Sequence, residues 1–225
     1  MIFRVWRQQK LLSRSWGKVY LVNGSLIFVL SLSAISLLKL ESISLPTLVN
    51  TLFPRFSICI GLIPVLLIQI LALTQVHLAD IFCLRTKTVL VIQAVYRSLM
   101  VILFFAILWI MGDLGIIFFT GGGKIFQSYF LEIMLRWLYL GLAGLIYLLL
   151  TQVVYFLTMN KFLAFMGPFF LNCGDFFLSV NHQPTFLYGF IRLSVRDVFW
   201  FLLLFLGSAV FLVILLRRII MKRDF

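Results

Sequence analysis

Residues 137–159 read WLYLGLAGLIYLLLTQVVYFLTM; Asn160 and Lys161 follow, and then residues 162–180 read FLAFMGPFFLNCGDFFLSV. The first run holds no charge and the second holds only Asp175. A helix needs roughly 20 apolar residues to cross roughly 30 Å of hydrocarbon, so each run is long enough to span a membrane by itself. Two residues between them leave room only for a tight helical hairpin. Spanning β-strands would instead appear as short segments of alternating polarity.

The same pattern recurs on both sides of this pair. Long runs with few or no charges also cover 20–38, 56–78, 99–119 and 198–216, with Asp113 the only charge within them. The fold class read from this is an all-α polytopic membrane protein: one transmembrane domain over 1–225 with six transmembrane helices. Composition agrees. Of 225 residues, 63% are hydrophobic and 12% charged, and the mean hydropathy is +1.14. A soluble domain would be about 45–50% apolar and about 25% charged. The 25 Phe, 5 Trp and 7 Tyr exclude a solvated, disordered chain. No length remains for a soluble catalytic domain.

Lys and Arg set the expected orientation. Most of the 19 basic residues fall in the N-terminal lead, the 79–98 connection, Lys161 and the tail 217–225. Lys39, Arg55, Lys124, Arg136, Arg192 and Arg196 fall on the other side. Both termini are therefore expected on the cytoplasmic face. The net charge of +12 reads as orientation and attraction to anionic lipid, not as nucleic-acid binding. The N-terminus does not read as a cleaved signal: its basic lead is long, its apolar run exceeds the usual 7–15 residues, and no small-x-small site follows. Cys59, Cys83 and Cys173 have neither metal nor redox spacing.

Three connecting segments carry information. In 1–18, Arg4, Arg7, Arg14 and Lys18 share helical spacing, while Ile2, Val5, Trp6, Leu12 and Trp16 form a second stripe. This is the pattern of an amphipathic interfacial helix with its tryptophans at headgroup level; it reads as a lipid anchor, or as a helix that also touches a cytoplasmic protein. The loop 79–98 carries Asp80, Arg85, Lys87 and Arg97 around Val89-Leu90-Val91-Ile92 and suits a short helix with a docking surface. The segment 181–196 is too apolar to be solvated and too short to cross twice. It is expected either to lie at the outer interface or to re-enter the membrane where protein covers it.

Ionisable residues within spans are costly and mark functional candidates. Counting 1.5 Å per residue, Asp113 and Asp175 both sit about 8–9 Å below the outer boundary. They are placed to face one another, to pair with Lys124, Arg136 or Arg192, or to snorkel to water. Each follows a glycine, but the Gly-x-Gly-Asp signature of intramembrane aspartyl proteases is incomplete, because Asn172 stands at its first position. Gly121-Gly122-Gly123-Lys124 lacks the Ser/Thr and the preceding strand of a phosphate loop. His77 and Asp80 make an interfacial pair without a third metal ligand. Gly167-Pro168 is expected to kink the fifth span. With Asn172 and Asp175 it makes that span the most polar and irregular, as in substrate pathways or in irregular helix packing. No hydrolase, zinc-protease or dinucleotide signature occurs, so an enzyme is not expected.

This plan, closing on Arg217-Arg218-Ile219-Ile220-Met221-Lys222-Arg223-Asp224-Phe225, resembles the membrane subunit of export-type ABC transporters, the type-2 permease family, whose tails often end on a short basic run and Arg-Asp. The resemblance implies that 79–98, through Asp80, Arg85, Lys87 and Arg97, docks on a separate ATP-binding-cassette ATPase. It implies that 1–18 is a connecting helix beside that loop and that 181–196 is an external re-entrant segment. The substrate pathway would then use Asp113, Pro168, Asn172 and Asp175. ATP and Mg would bind the partner ATPase and no cofactor this chain. A second permease copy, identical or related, would complete the pathway in a bacterial cell membrane. Lacking a large external domain, the chain is similar to small permeases that export antimicrobial peptides or confer immunity to them.

Overall fold

The computed structural model describes residues 17, 20–26, 45–74, 87–119, 123–191 and 195–222. Among these residues the chain is all-helical, without strands. In chain order the helices are α1 (Leu45–Leu52), a π-helical turn (Ser57–Leu62), α2 (Ile63–Leu73), α3 (Lys87–Phe119), α4 (Gly123–Ser128), α5 (Phe130–Thr158), α6 (Lys161–Val180), a 3-10 turn (Tyr188–Ile191) and α7 (Val195–Lys222). Five stretches are long and apolar enough to cross a membrane: Leu48–Leu73, Lys87–Gly115, Phe126–Thr158, Lys161–Val180 and Phe199–Lys222. Of the expected first span, residues 20–26 are helical and the rest lies outside the described residues.

Helix boundaries extend beyond the apolar runs. The second span begins at α1 and is interrupted where Pro54 disfavours helical backbone at Phe53. The chain resumes helically, with Ile58 N donating to the Pro54 carbonyl at 3.1 Å. The third span was expected to start at Leu99, after a 79–98 connection suited to a short helix. Residues 87–98 are helical, but as the first turns of α3 itself, because no proline interrupts Lys87–Phe119. At 33 residues, α3 is about 50 Å long, well beyond the hydrocarbon thickness. Its first turns are packed into the bundle through Val89, Leu90, Val91 and Ala94.

α5 is the central helix, packed on α7, α6, α3 and α2. Its approach to α3 depends on Gly144, where an added Cβ would lie 2.6 Å from Ile102 Cδ1. The turn into α6 is tight. Met159 closes α5 in the left-handed region at φ 52°. Asn160 then caps α6, its side-chain oxygen accepting from Phe162 N at 2.9 Å and Leu163 N at 3.4 Å. α6 remains one helix through Pro168. Helix 20–26 joins the bundle through a 2.6 Å hydrogen bond from Asn23 Nδ2 to Gln69 Oε1. Gly24 seats it against Leu108 and Phe104.

Candidate functional site

Among the described residues a polar cluster lies where α6, the π turn and the connection to α7 meet, and its origin is local. Ile63 N donates to the Ile58 carbonyl in the π register, so Cys59 O would next receive residue 64. That residue is Pro64, which has no N–H. A buried carbonyl without a donor is costly, and α6 supplies the donor: Asn172 Nδ2 reaches Cys59 O at 3.0 Å and Cys59 Sγ at 3.5 Å. Asn172 Oδ1 in turn accepts from Tyr188 Oη at 3.0 Å. All three residues are buried. Asn172 thus ties the π turn, α6 and the 3-10 turn together.

Asp175, one turn further along α6, holds the same connection. Its Oδ1 accepts from Phe186 N at 2.7 Å and its Oδ2 from Leu187 N at 2.6 Å. Tyr139 of α5 donates its hydroxyl to the Phe186 carbonyl, and Arg55 Nη1 donates to Ser179 O at 3.0 Å. Aromatic rings close around the cluster: Phe205 of α7 lies 4.5 Å from Phe186 and 4.7 Å from Tyr139, centroid to centroid, and Phe176 lies 5.8 Å from Tyr188. Leu187 and Tyr188 are fully buried. Residues 181–191, between α6 and α7, therefore fold back onto the bundle. Beside it a groove of about 500 Å³ runs between α5 and α7, lined by Ile146, Leu150, Phe186, Leu204, Ser208 and Phe211.

Asp113 belongs to a different place. It is fully buried on α3, and its Oδ2 accepts from Trp137 Nε1 at 2.7 Å. No hydrogen bond or ion pair joins it to Asp175, which is engaged by backbone amides. Arg136 does not reach it either and makes an i,i+4 ion pair with Glu132 at 3.2 Å. Arg192 lies outside the described residues. Of the four candidates for a pathway, Asn172 and Asp175 are brought together by the clamp, Pro168 is buried one turn earlier on α6, and Asp113 stands apart on α3.

At the other end of the bundle, Lys87 Nζ donates to the Met221 carbonyl at 3.2 Å, joining the start of α3 to the end of α7. Arg97 Nη1 donates to Leu73 O at 2.8 Å, satisfying a terminal carbonyl of α2. Gln152 Nε2 ties α5 to α3 through Ala94 O at 3.0 Å and Ser98 Oγ at 3.3 Å. Asp80 and Arg85 lie outside the described residues, as do Arg4, Trp6, Arg7, Arg14 and Trp16. Sequence reasoning missed Tyr139, Tyr188 and the Cys59 carbonyl. Pro54 and Pro64, bracketing an apolar run, were the available signal for an irregular second span.

No family model, curated protein or solved structure matches this chain.

Proposed function

We propose that this chain is the membrane subunit of an ATP-driven exporter that moves a hydrophobic or amphipathic substrate, such as an antimicrobial peptide, a lipid or a drug, across a bacterial cell membrane. The observation that carries the reading is the α6–α7 connection. It is folded back and clamped by Asp175, Asn172 and Tyr139 above an apolar groove that Phe186 itself lines. A segment so placed suits closure of a pathway at one end, and the groove suits an apolar cargo. The basic ends of α3 and α7, joined through Lys87 and Met221, are the side on which an ATPase would dock.

In this reading the chain has six spans with both termini cytoplasmic, pairs with a second permease copy, and draws its energy from a separate ATPase. Closure of that partner on ATP and Mg would shift the start of α3 between two arrangements and pass the motion to the bundle. Arg97 contributes by fixing the end of α2 to α3. The shared-proton pair of an aspartyl protease has no support in the geometry, since Asp113 and Asp175 have separate partners. A stand-alone peptide-immunity protein is the competing reading; its support is the same groove without a coupled partner.

Purification of the tagged chain in mild detergent, with mass spectrometry of what co-elutes, tests the proposal. An ATPase in stoichiometric amount is expected, with loss of export when Arg85 and Lys87 are replaced by glutamate. A chain that elutes alone, and protects cells when every candidate ATPase is inactivated, would overturn the transporter reading in favour of the immunity protein.

A further inference from the structure

Cys59 and Cys173 are far apart in the sequence, yet the fold brings their side chains into direct interaction. Cys59 belongs to the π turn of the second span and is buried. Cys173 lies on α6, is only partly buried and packs at the edge of the core. Both are free thiols. The residue before Cys173 grips the same turn: Asn172 Nδ2 donates to Cys59 O at 3.0 Å and lies 3.5 Å from Cys59 Sγ. Hydrogen bonding thus holds the two backbones together beside the sulfurs. Cysteine is so short that two thiols in contact bring their backbones close to the spacing a disulfide bridges, about 4.4–6.8 Å from Cα to Cα.

We propose that Cys59 and Cys173 are a redox-active thiol pair, oxidised by a peroxide to a disulfide that ties the second span to α6. Oxidation of cysteine follows exposure, so Cys173 reacts first. Its sulfur takes one oxygen of hydrogen peroxide, the O–O bond breaks, and the other oxygen leaves as water with the thiol proton. The Cys59 sulfur then attacks the sulfenic sulfur of Cys173. The S–S bond forms, the S–O bond breaks, and hydroxide leaves with the Cys59 proton as a second water. The two sulfurs together give up two electrons, which the peroxide gains. The Asn172 N–H beside Cys59 Sγ supports the charge that builds on that sulfur as its proton departs. The product is a covalent tie at the junction that Asn172 otherwise holds by hydrogen bonds. The inference is independent of the transporter reading.

Peptide mapping of the wild-type chain in lipid vesicles tests it. The vesicles are treated with hydrogen peroxide, remaining thiols are blocked with N-ethylmaleimide in SDS, and the chain is digested without reductant. Chymotrypsin cuts at the leucines and aromatic residues between Cys59 and Cys83, so the two cysteines fall on different peptides. The expected result is loss of maleimide from the Cys59 and Cys173 peptides and a new species joining them, which dithiothreitol separates. In Cys173→Ser the joined species disappears. Full maleimide labelling of both cysteines after peroxide would overturn the proposal and leave the pair as packing alone. So would thiols that gain oxygen without a joined peptide, or a joined peptide confined to a covalent dimer on a non-reducing gel. The wild-type map decides the matter even where Cys173→Ser does not fold.

Discussion

The Asn172 side chain stands where a backbone amide would stand, 3.0 Å from the Cys59 carbonyl that Pro64 leaves without its in-register donor. A turn of irregular helix inside a membrane span is thus completed by a side chain from another span. Removing that side chain orphans a buried carbonyl, at a cost of about 1–3 kcal/mol. Asn172→Leu is expected to lower unfolding stability in detergent by that amount. Pro64→Ala on this background should recover part of the loss, because alanine restores an N–H at position 64. Failure of the rescue would separate Asn172 from the π turn.

Asp175 accepts two backbone amides with two oxygens. Asparagine offers one acceptor and turns an N–H toward the other amide, so Asp175→Asn should release one end of the clamp. Charge-assisted bonds are worth roughly 1.5–3 kcal/mol. The expected readout is faster labelling of a cysteine placed at exposed Gln183 and earlier proteolysis between α6 and α7. Unchanged labelling in Asp175→Asn would show that the segment is held by its aromatic packing alone.

Gly144 sets how closely α3 and α5 approach. A methyl there meets the flexible end of Ile102 at 2.6 Å, so Gly144→Ala is expected to cost about 1–3 kcal/mol as overpacking. Ile102→Ala should relieve the clash, making the double variant more stable than the sum of the singles. Larger residues at 144, such as leucine, would part the helices. Thermal unfolding of the four proteins checks the cycle.

Arg97 is tied to the end of α2. Arg97→Gln keeps a donor but shortens its reach, and should cost about 1 kcal/mol without altering any partner's affinity. A variant of normal stability that no longer retains an ATPase would move Arg97 from the bundle to the docking surface.

Long uncharged runs made the spanning helices legible, because backbone at membrane depth must satisfy itself within a helix. The tight turn at Met159 and Asn160 was legible for the same reason. Less visible was anything that depends on a partner in space. Asp113 and Asp175 lie at similar counted depths, which suggested a pair, but depth does not fix the face of a helix. One aspartate turned to Trp137 and the other to the Phe186 and Leu187 amides. Tyr188 was hidden in a segment read only for its apolarity. The 79–98 connection was read as a short helix separate from the third span because charge was used to mark the end of a span, whereas Arg97 and Lys87 bond to neighbouring carbonyls and let α3 run on from residue 87.

The turn at Met159–Lys161 also bears on how the protein is made. So short a connection holds the start of α6 at the membrane surface as soon as α5 spans it. That favours the two helices inserting together, as one antiparallel unit about 30–43 Å long. Lesions in α6 are therefore expected to disturb the placement of α5, the helix on which the rest of the bundle is built.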